Sequence, residues 1–336
     1  KPTMAVREGD RVKKGQILFS DKKNELTKIV SPISGKVSQI NRGARRVLQS
    51  VVIDCEGDEE ICFEKFTEFS IKNADREKIR NILVESGQWV ALKTRPYSKV
   101  PDNQSIPNSI FVTASDSNPL SANPDVVVKQ QPEYFSFGMR VLCKLCDGNI
   151  HLCTDANSDI LIDDMQQIKH TRFAGKHPVG LAGTHIHFLD AVSSSKTVWV
   201  INYQDVIAFG YLFLTGNIYS RRIISIAGPQ VKAPRLVETI LGADLDELMR
   251  NELFEGESRV ISGSVLSGRE SSGNFSYLGR YHNQISVIEE GRDRQVLHFL
   301  RLGNNKHSAL PIFISNFTKK LFNMTTSTNG SERAMV

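Results

Sequence analysis

Three cysteines and several histidines in the middle of the chain have the spacing that comes closest to a metal site. Cys143 and Cys146 are followed by His151 and Cys153, and residues 184–187 read Thr-His-Ile-His. A zinc site needs about four ligands, and neither group is completed by a second Cys-x-x-Cys pair or a neighbouring carboxylate. Cys143 and Cys146 also fall on the apolar face of a predicted helix, where cysteine acts as a small hydrophobic residue. The sequence therefore predicts no metal centre, and the histidines are better interpreted as hydrogen-bonded or crevice-lining residues.

Two lysines near the start of the chain are candidates for covalent attachment of a prosthetic group. Lys22 and Lys23 lie in a predicted turn between a GD-x-V-x-x-G-x-x-L pattern at residues 9–18 and a P-x-x-G-x-V pattern at residues 32–37. The glycines permit tight turns between short strands. This pairing resembles the biotinyl/lipoyl barrel-sandwich domain, whose carrier members modify a lysine at this hairpin tip. The Met-Lys-Met context of biotin carriers is missing, so a barrel without a cofactor is favoured.

Polar residues also follow the buried strand that residues 109–114 predict. Thr113 lies near its end, and Asp116 and Asn118 lie in the loop that comes next. Ligands of open parallel sheets bind outside the carboxyl ends of the strands, so this loop is a candidate crevice wall. The alternative is an Asx/Pro turn that leads into a helix. The candidate ligand-contacting residues are Thr113, Asp116, Asn118, His177, Thr184 and His185.

The stretch 174–216 organises the elements that must position these side chains. Residues 197–201 predict a strand, and an apolar helix should run from Tyr203 to about Leu214, with Asn202 as its N-cap and Gly216 at its end. A further strand is predicted at residues 222–226, and we interpret the succession as a βαβ unit of a parallel sheet. A helix at residues 134–146 and a strand at residues 149–154 precede it. No GxGxxG follows a strand and no GxxxxGK[ST] occurs, so nucleotide binding by those motifs is unsupported.

Composition indicates a multidomain globular protein rather than a membrane-spanning or nucleic-acid-binding one. The 336 residues are 40% hydrophobic and 24% charged, and no run approaches 18 apolar residues. The net charge of +5 is spread along the chain, so nucleic acid is not a predicted partner. Five cysteines without a regular framework fit a reducing compartment.

Shifts in pattern along the chain predict five segments. The first resembles a barrel-sandwich domain, the third a Rossmann-like parallel α/β domain, and the fourth a β-grasp domain. We expect the first segment to lack its N-terminal strands and the last to be truncated. The predicted boundaries are 1–55 for the barrel, 56–101 for a helical connector, 102–221 for the α/β domain, 222–300 for the β-grasp domain and 301–336 for the start of a C-terminal region.

Six strings of residues together resemble the alpha subunit of the sodium-translocating NADH:quinone oxidoreductase of bacteria. They run in the family's order over nearly the whole chain. Departures are local: residues 24–27 replace the usual Asn-Pro-Gly turn, and Cys143 and Cys146 stand where the family commonly has aliphatic residues. The matching strings are residues 7–19, 41–53, 94–101, 177–187, 201–208 and 259–268.

The resemblance implies a peripheral subunit, without a transmembrane segment, on the cytoplasmic face of the bacterial inner membrane. It implies a six-subunit complex that couples NADH oxidation and ubiquinone reduction to Na⁺ export. Other subunits would carry FAD, FMN, riboflavin and an iron–sulfur centre, this one would carry none of them, and ubiquinone is its candidate ligand. The β-grasp segment would be of the SLBB type, and the layout would be similar to the flavin subunit of respiratory complex I. The chain is thus expected to be an enzyme only as a subunit, without a complete active site of its own.

Two alternatives from other functional classes remain. One is a biotinyl- or lipoyl-type carrier modified at Lys22 or Lys23, which the intact mass would reveal. The other is a soluble NADH or flavin oxidoreductase, which a visible absorbance spectrum would reveal.

Overall fold

The structure is a computed structural model of the 336-residue chain. It describes residues 2–24, 26–102, 105–163, 165–292, 302–304, 306–307, 313–318 and 321–327. The chain forms two compact units. One comprises the chain up to residue 223 together with residues 238–242, and the other comprises residues 224–237 and the chain from residue 243.

The first unit begins with six short strands, in the segment 1–55 that the sequence predicts to be a β barrel-sandwich. They form two three-stranded antiparallel sheets with the orders β1-β3-β4 and β2-β5-β6. Val6, Val12, Leu18 and Val37 form a small buried core in this part. The strands are β1 (Pro2–Met4), β2 (Arg11–Val12), β3 (Ile17–Asp21), β4 (Lys28–Val30), β5 (Gly35–Arg42) and β6 (Leu48–Cys55).

The rest of the first unit is a sheet flanked by helices. The sheet order is β10-β9-β8-β11-β7, and only the pairing of β7 with β11 is antiparallel. The predicted parallel α/β arrangement is therefore confirmed, with one antiparallel edge strand. The elements are α1 (Glu68–Lys72), α2 (Arg76–Glu85), β7 (Lys93–Arg95), β8 (Ile110–Ala114), α3 (Pro124–Gln130), α4 (Pro132–Leu145), β9 (Ile150–Asp155), β10 (Ile168–Phe173), α5 (Ala182–Leu189), β11 (Val198–Asn202) and α6 (Tyr203–Thr215).

Local sequence explains why α6 begins and ends where it does. The Asn202 side chain accepts a hydrogen bond from the Gln204 N–H, which satisfies a free donor of the first turn. Gly216 ends the helix with a φ of 78°, a conformation that costs glycine little. Both predicted helix ends are confirmed. The apolar sides of α6 then pack into the main core beside α4.

One further sheet, most of whose residues belong to the second unit, has the strand order β13-β12-β16-β14-β15. Its core includes Ile224, Ile226, Leu245, Ile285 and Val287. The elements are β12 (Arg221–Ala227), β13 (Arg235–Ile240), α7 (Leu245–Leu248), β14 (Ser258–Ser262), β15 (Arg269–Glu270) and β16 (Gln284–Glu289).

The predicted βαβ unit around α6 is wrong, although all three of its elements exist. The strand after α6 does not return to the sheet of β11; β12 pairs in parallel with β16 in the other sheet. The pairing partner of β12 lies about sixty residues further along the chain, and a pattern of neighbouring elements carries no information about it.

Part of the predicted C-terminal region lies outside the described residues, namely residues 301, 305, 308–312, 319–320 and 328–336. Within the rest of it, Ile314–Phe317 forms a short 3₁₀ helix. In the part of the chain that the structure describes, no helix has the length and apolar character needed to cross a bilayer.

Candidate functional site

The candidate site lies at the carboxyl ends of β8 and β9. Asp116 accepts hydrogen bonds from the backbone N–H of Asn118 at 3.0 Å and from its side-chain amide at 2.7 Å. The Ser115 hydroxyl donates to the carboxylate of Asp155, the last residue of β9. Burial raises the pKa of Asp116, and the nearby charge of Asp155 raises it further, while the two bonds from Asn118 oppose the shift. The geometry thus gathers two carboxylates where a parallel sheet presents its ligand-binding edge.

The segment before α5 folds against this loop. His177 Nδ1 lies 3.0 Å from Ser117 Oγ and 3.1 Å from the Ser117 carbonyl oxygen. The backbone N–H of Gly180 donates to Ser117 Oγ at 2.9 Å, and a Cβ at Gly180 would collide with the Ser117 backbone. Because a carbonyl oxygen only accepts, the contact fits a ring protonated on Nδ1, which leaves Nε2 of the neutral ring as an acceptor.

His185 is fully buried and is bonded within the fold. Its Nε2 lies 2.8 Å from the Val179 carbonyl oxygen, to which it can only donate, and its ring centre lies 4.4 Å from that of Phe173. Nδ1 is then the acceptor, and it has no partner among the residues that the structure describes. Burial lowers the pKa of His185, so the neutral ring is favoured. Next to it, the Thr184 hydroxyl donates to the Pro178 carbonyl at 2.8 Å.

The six predicted residues therefore separate into two groups. Asp116 and Asn118 contact each other, and His177 joins them through Ser117. Thr113, Thr184 and His185 form hydrogen bonds inside the fold; the Thr113 hydroxyl donates to the Ile201 carbonyl and so joins β8 to β11. The role of all six as ligand contacts stays a prediction.

Matches to known proteins cover nearly the whole chain. The family descriptions that match are the NqrA N-terminal barrel-sandwich hybrid domain at residues 1–56, the NqrA second alpha/beta domain at residues 74–218 and the NQRA C-terminal domain at residues 223–273. Among curated proteins, the NqrA subunit of the Na(+)-translocating NADH-quinone reductase of Marinomonas sp. is 55% identical over 337 residues, or 100% of this chain and 75% of the relative. The NqrA subunits of Histophilus somni (strain 2336) and Vibrio anguillarum are each 53% identical with the same coverage. The chain belongs to the NqrA family of Na⁺-translocating NADH-quinone reductase subunits.

This NqrA family member is also distantly similar in structure to two solved structures. Two structures of an NAD⁺-reducing [NiFe]-hydrogenase, H₂-reduced and air-oxidised, match at TM-scores of 0.43 and 0.42 with 12% and 13% identity. The match covers 67% of this chain and 51% of the H₂-reduced hydrogenase chain. A likeness at this level supports no statement about function, and the layout of the complex I flavin subunit stays a prediction.

Several residues of the site were missed by the sequence analysis of this NqrA family member. Asp155 directly follows the predicted strand 149–154, and a polar residue at a strand end was the signal that could have found it. Ser117 lies between Asp116 and Asn118 in the predicted loop, so the same signal covered it, but its contact with His177 comes from a segment sixty residues away. Tyr203 is buried at the start of α6; burial raises its pKa, and the nearby Asp116 charge raises it further.

Three of the five cysteines, Cys143, Cys146 and Cys153, are packed as small apolar groups, whereas Cys55 and Cys62 are exposed. Burial raises the pKa of Cys143 to about 11 and that of Cys153 to about 12, so neither is a thiolate near neutral pH. The Cys146 thiol donates to the Pro107 carbonyl at 3.4 Å. Among the described residues, no three or more His, Cys, Asp or Glu side chains are grouped as metal ligands.

Lys22 and Lys23 stand in the exposed turn between β3 and β4. The Lys23 N–H donates to the Asp21 carboxylate at 3.0 Å, and the chain returns at Lys28 into β4. The predicted position at a hairpin tip is therefore confirmed, whereas covalent modification there stays a prediction.

Proposed function

We propose that this chain is a peripheral subunit of a Na⁺-translocating NADH–quinone reductase. In this role it contributes to ubiquinone binding and carries no redox cofactor of its own. The observation that carries the proposal is the 55% identity to a curated NqrA protein over all of this chain. Electrons would pass through FAD, FMN, riboflavin and an iron–sulfur centre held by the other five subunits. The site of action would be the cytoplasmic face of the bacterial inner membrane.

The polar groups at the carboxyl ends of β8 and β9 support a role in ligand contact. A quinone offers two carbonyl acceptors, and the quinol that replaces it offers two hydroxyl donors. Asn118 has a second amide hydrogen beyond the one given to Asp116, and neutral His177 has its Nε2 lone pair. We assign these two residues and Asp116 to direct contact, and Thr113, Thr184 and His185 to shaping the crevice.

Membership of the complex is tested by isolating the full-length protein from bacterial membranes in mild detergent and identifying what accompanies it. We expect integral membrane flavoproteins in constant ratio to this subunit. Recovery of a soluble carboxylase or acyltransferase instead would overturn the assignment and favour a carrier protein modified at Lys22 or Lys23.

The quinone-contact assignment is tested with His177→Gln in the isolated complex. Because the neutral Nε2 accepts, the bond lost is one from a quinol hydroxyl, worth roughly 1 kcal/mol. The dissociation constant for ubiquinol should rise about fivefold, and NADH oxidation by an artificial acceptor should stay unchanged. His187→Gln is the matched control, because His187 is exposed on α5 and contacts only the Phe188 ring among the described side chains. Equal dissociation constants for ubiquinol in the His177 variant and the wild type would remove His177 from the site.

A further inference from the structure

In the part of the chain that the structure describes, one edge of β10 is not covered by another strand. It is the outermost strand of its sheet, and Ile150 of β9 donates to the Gln167 carbonyl at 2.9 Å. The N–H and C=O of one strand residue point to the same side, and the side alternates along the strand. The backbone N–H and C=O groups of Lys169, Thr171 and Phe173 therefore point to β9. Those of His170 and Arg172 point to the uncovered edge.

The surroundings of this edge are positively charged. Between residues 165 and 189 there is no Asp or Glu, whereas Lys169, Arg172 and Lys176 are all cationic. None of these three forms an ion pair in the described part of the chain, and Lys169, His170 and Arg172 are exposed. Charged residues on an edge strand often have no role beyond preventing aggregation through that edge. The two edges of this sheet differ in length, however. The edge strand β7 has only three residues, whereas β10 offers six residues to a partner strand.

We propose that another subunit of the complex contributes an extended acidic segment, which adds to β10 as a sixth strand. Strand addition supplies acceptors and donors to the outward backbone groups of His170 and Arg172, and carboxylates on the segment pair with Lys169 and Arg172. A second copy of this chain would oppose like charges across the edge, which is destabilising. A lipid surface would satisfy the charges but could not form the alternating backbone hydrogen bonds. The inference rests on the proposed function, because it places the segment inside the assembled complex.

The alternation of inward and outward backbone N–H groups along β10 provides a direct test. Amide hydrogen exchange is measured at single-residue resolution for the purified full-length protein and for the complex isolated from membranes. The amides of His170 and Arg172 should exchange at least about tenfold more slowly in the complex, because a ladder hydrogen bond must then open first. The amides of Lys169 and Thr171, already bonded to β9, should change little. Unchanged exchange at 170 and 172 in the complex, or the same protection from anionic lipid vesicles alone, would overturn the proposal.

Substitutions at Arg172 separate the backbone contribution from the charge. Arg172→Pro removes the outward N–H and the charge without touching the ladder to β9, and proline is tolerated at such an edge position. Arg172→Gln removes the charge alone. We expect the fraction of the chain retained in the complex to fall about tenfold for Arg172→Pro. It should fall less for Arg172→Gln, and this deficit relative to the wild type should shrink at high salt, which screens the charge pair in the wild type as well.

Two controls make the substitution experiment decisive. Arg221→Gln removes an exposed arginine elsewhere on the surface and should leave retention unchanged. Far-ultraviolet circular dichroism of Arg172→Pro should match the wild type, and Arg172→Gln carries the test if it does not. Wild-type retention by Arg172→Pro would overturn the strand addition. Failure of the wild-type protein to bring down any membrane flavoprotein would instead overturn the proposed function on which it rests.

Discussion

At the scale of single residues, the most consequential pair of the first unit is the ion pair of Asp205 with Arg222. The two side chains are 6% and 2% exposed and meet at 2.5 Å. Gln204 binds the backbone of Ile223 in both directions, donating at 2.7 Å and accepting at 3.0 Å. The first turn of α6 therefore holds the start of β12 through buried polar bonds, which cost much more to break than exposed ones.

Replacing Asp205 with Ala should lower the free energy of unfolding by roughly 3–5 kcal/mol, because the buried Arg222 would lose its carboxylate partner. The measurement is thermal unfolding followed by circular dichroism. Asp159→Ala is the control, since Asp159 pairs with Lys129 at the surface, where ion pairs contribute little. Equal losses in the two variants would show that burial is not what makes the pair important.

Because two histidines are buried, we expect the stability of the fold to decrease in acid. Burial lowers the pKa of His185 and of His151, whereas an unfolded histidine titrates near pH 6.5. Below about pH 6.5 the unfolded chain takes up protons that the folded chain resists, so stability is complete above this pH and is lost as the pH falls. The urea midpoint should therefore decrease from pH 7.5 to pH 5.5, and less so for His151→Gln/His185→Gln. Parallel pH curves for the variant and the wild type would contradict this account.

The Asp116 carboxyl should have the opposite effect to the histidines on the pH dependence of stability, and this effect occurs at lower pH. Its raised pKa means that the charged form is disfavoured in the folded state, so stability is gained below the unfolded value of about 3.9 and lost as the pH rises through the folded value. Asp116→Asn keeps an acceptor for Asn118 and should raise the melting temperature at pH 7.5. The gain should disappear when unfolding is measured near pH 3.5; a gain that is equal at both pH values would exclude desolvation as its cause.

At the scale of elements, the contact of α4 with α6 depends on two glycines. A Cβ at Gly210 would collide with the Tyr134 carbonyl oxygen, and one at Gly138 with that of Val206. Both collisions are with backbone, which no side-chain rotation relieves, so the helices would have to separate.

Gly210→Ala should therefore destabilise the protein by about 1–3 kcal/mol, despite the higher helix propensity of alanine. Gly183→Ala in α5 is the matched control, because a Cβ there meets nothing within 4 Å; it should be neutral or slightly stabilising. Thermal unfolding of the two variants measures the difference, and a neutral Gly210→Ala would show that the helices can shift apart freely.

The ends of α6 could be predicted because capping depends on residues that are neighbours in sequence. The partners of longer-range elements could not. Trp89 lies within the predicted connector, yet it packs edge-on against Trp199 of β11 at 5.4 Å between ring centres, and β7 joins the same sheet. Because such contacts join segments about a hundred residues apart, no local sequence pattern predicted them. The bounds of the five predicted segments stay predictions.

At the scale of the whole molecule, the exposed Lys22 and Lys23 offer the sharpest test between a carrier protein and a component of a respiratory complex. A component of the complex should show the intact mass of its own polypeptide, and Lys22→Arg/Lys23→Arg should support the same quinone reductase activity as the wild type. An added biotinyl or lipoyl mass that the double variant lacks, together with loss of activity, would favour the carrier.

The amino-acid sequence by itself determined the type and approximate ends of β8, α4, β9, β11 and α6, the hairpin position of the two lysines and the family. These depend on residue type, on period and on strings of neighbouring residues. Only the tertiary structure decided that β12 joins the second sheet, that Asp155 contacts Ser115, that His177 contacts Ser117, and that His185 packs in the interior against Val179 and Phe173. Each of these is a contact between segments far apart in the chain, and its free energy comes from burial and hydrogen bonds that exist only once the segments have packed.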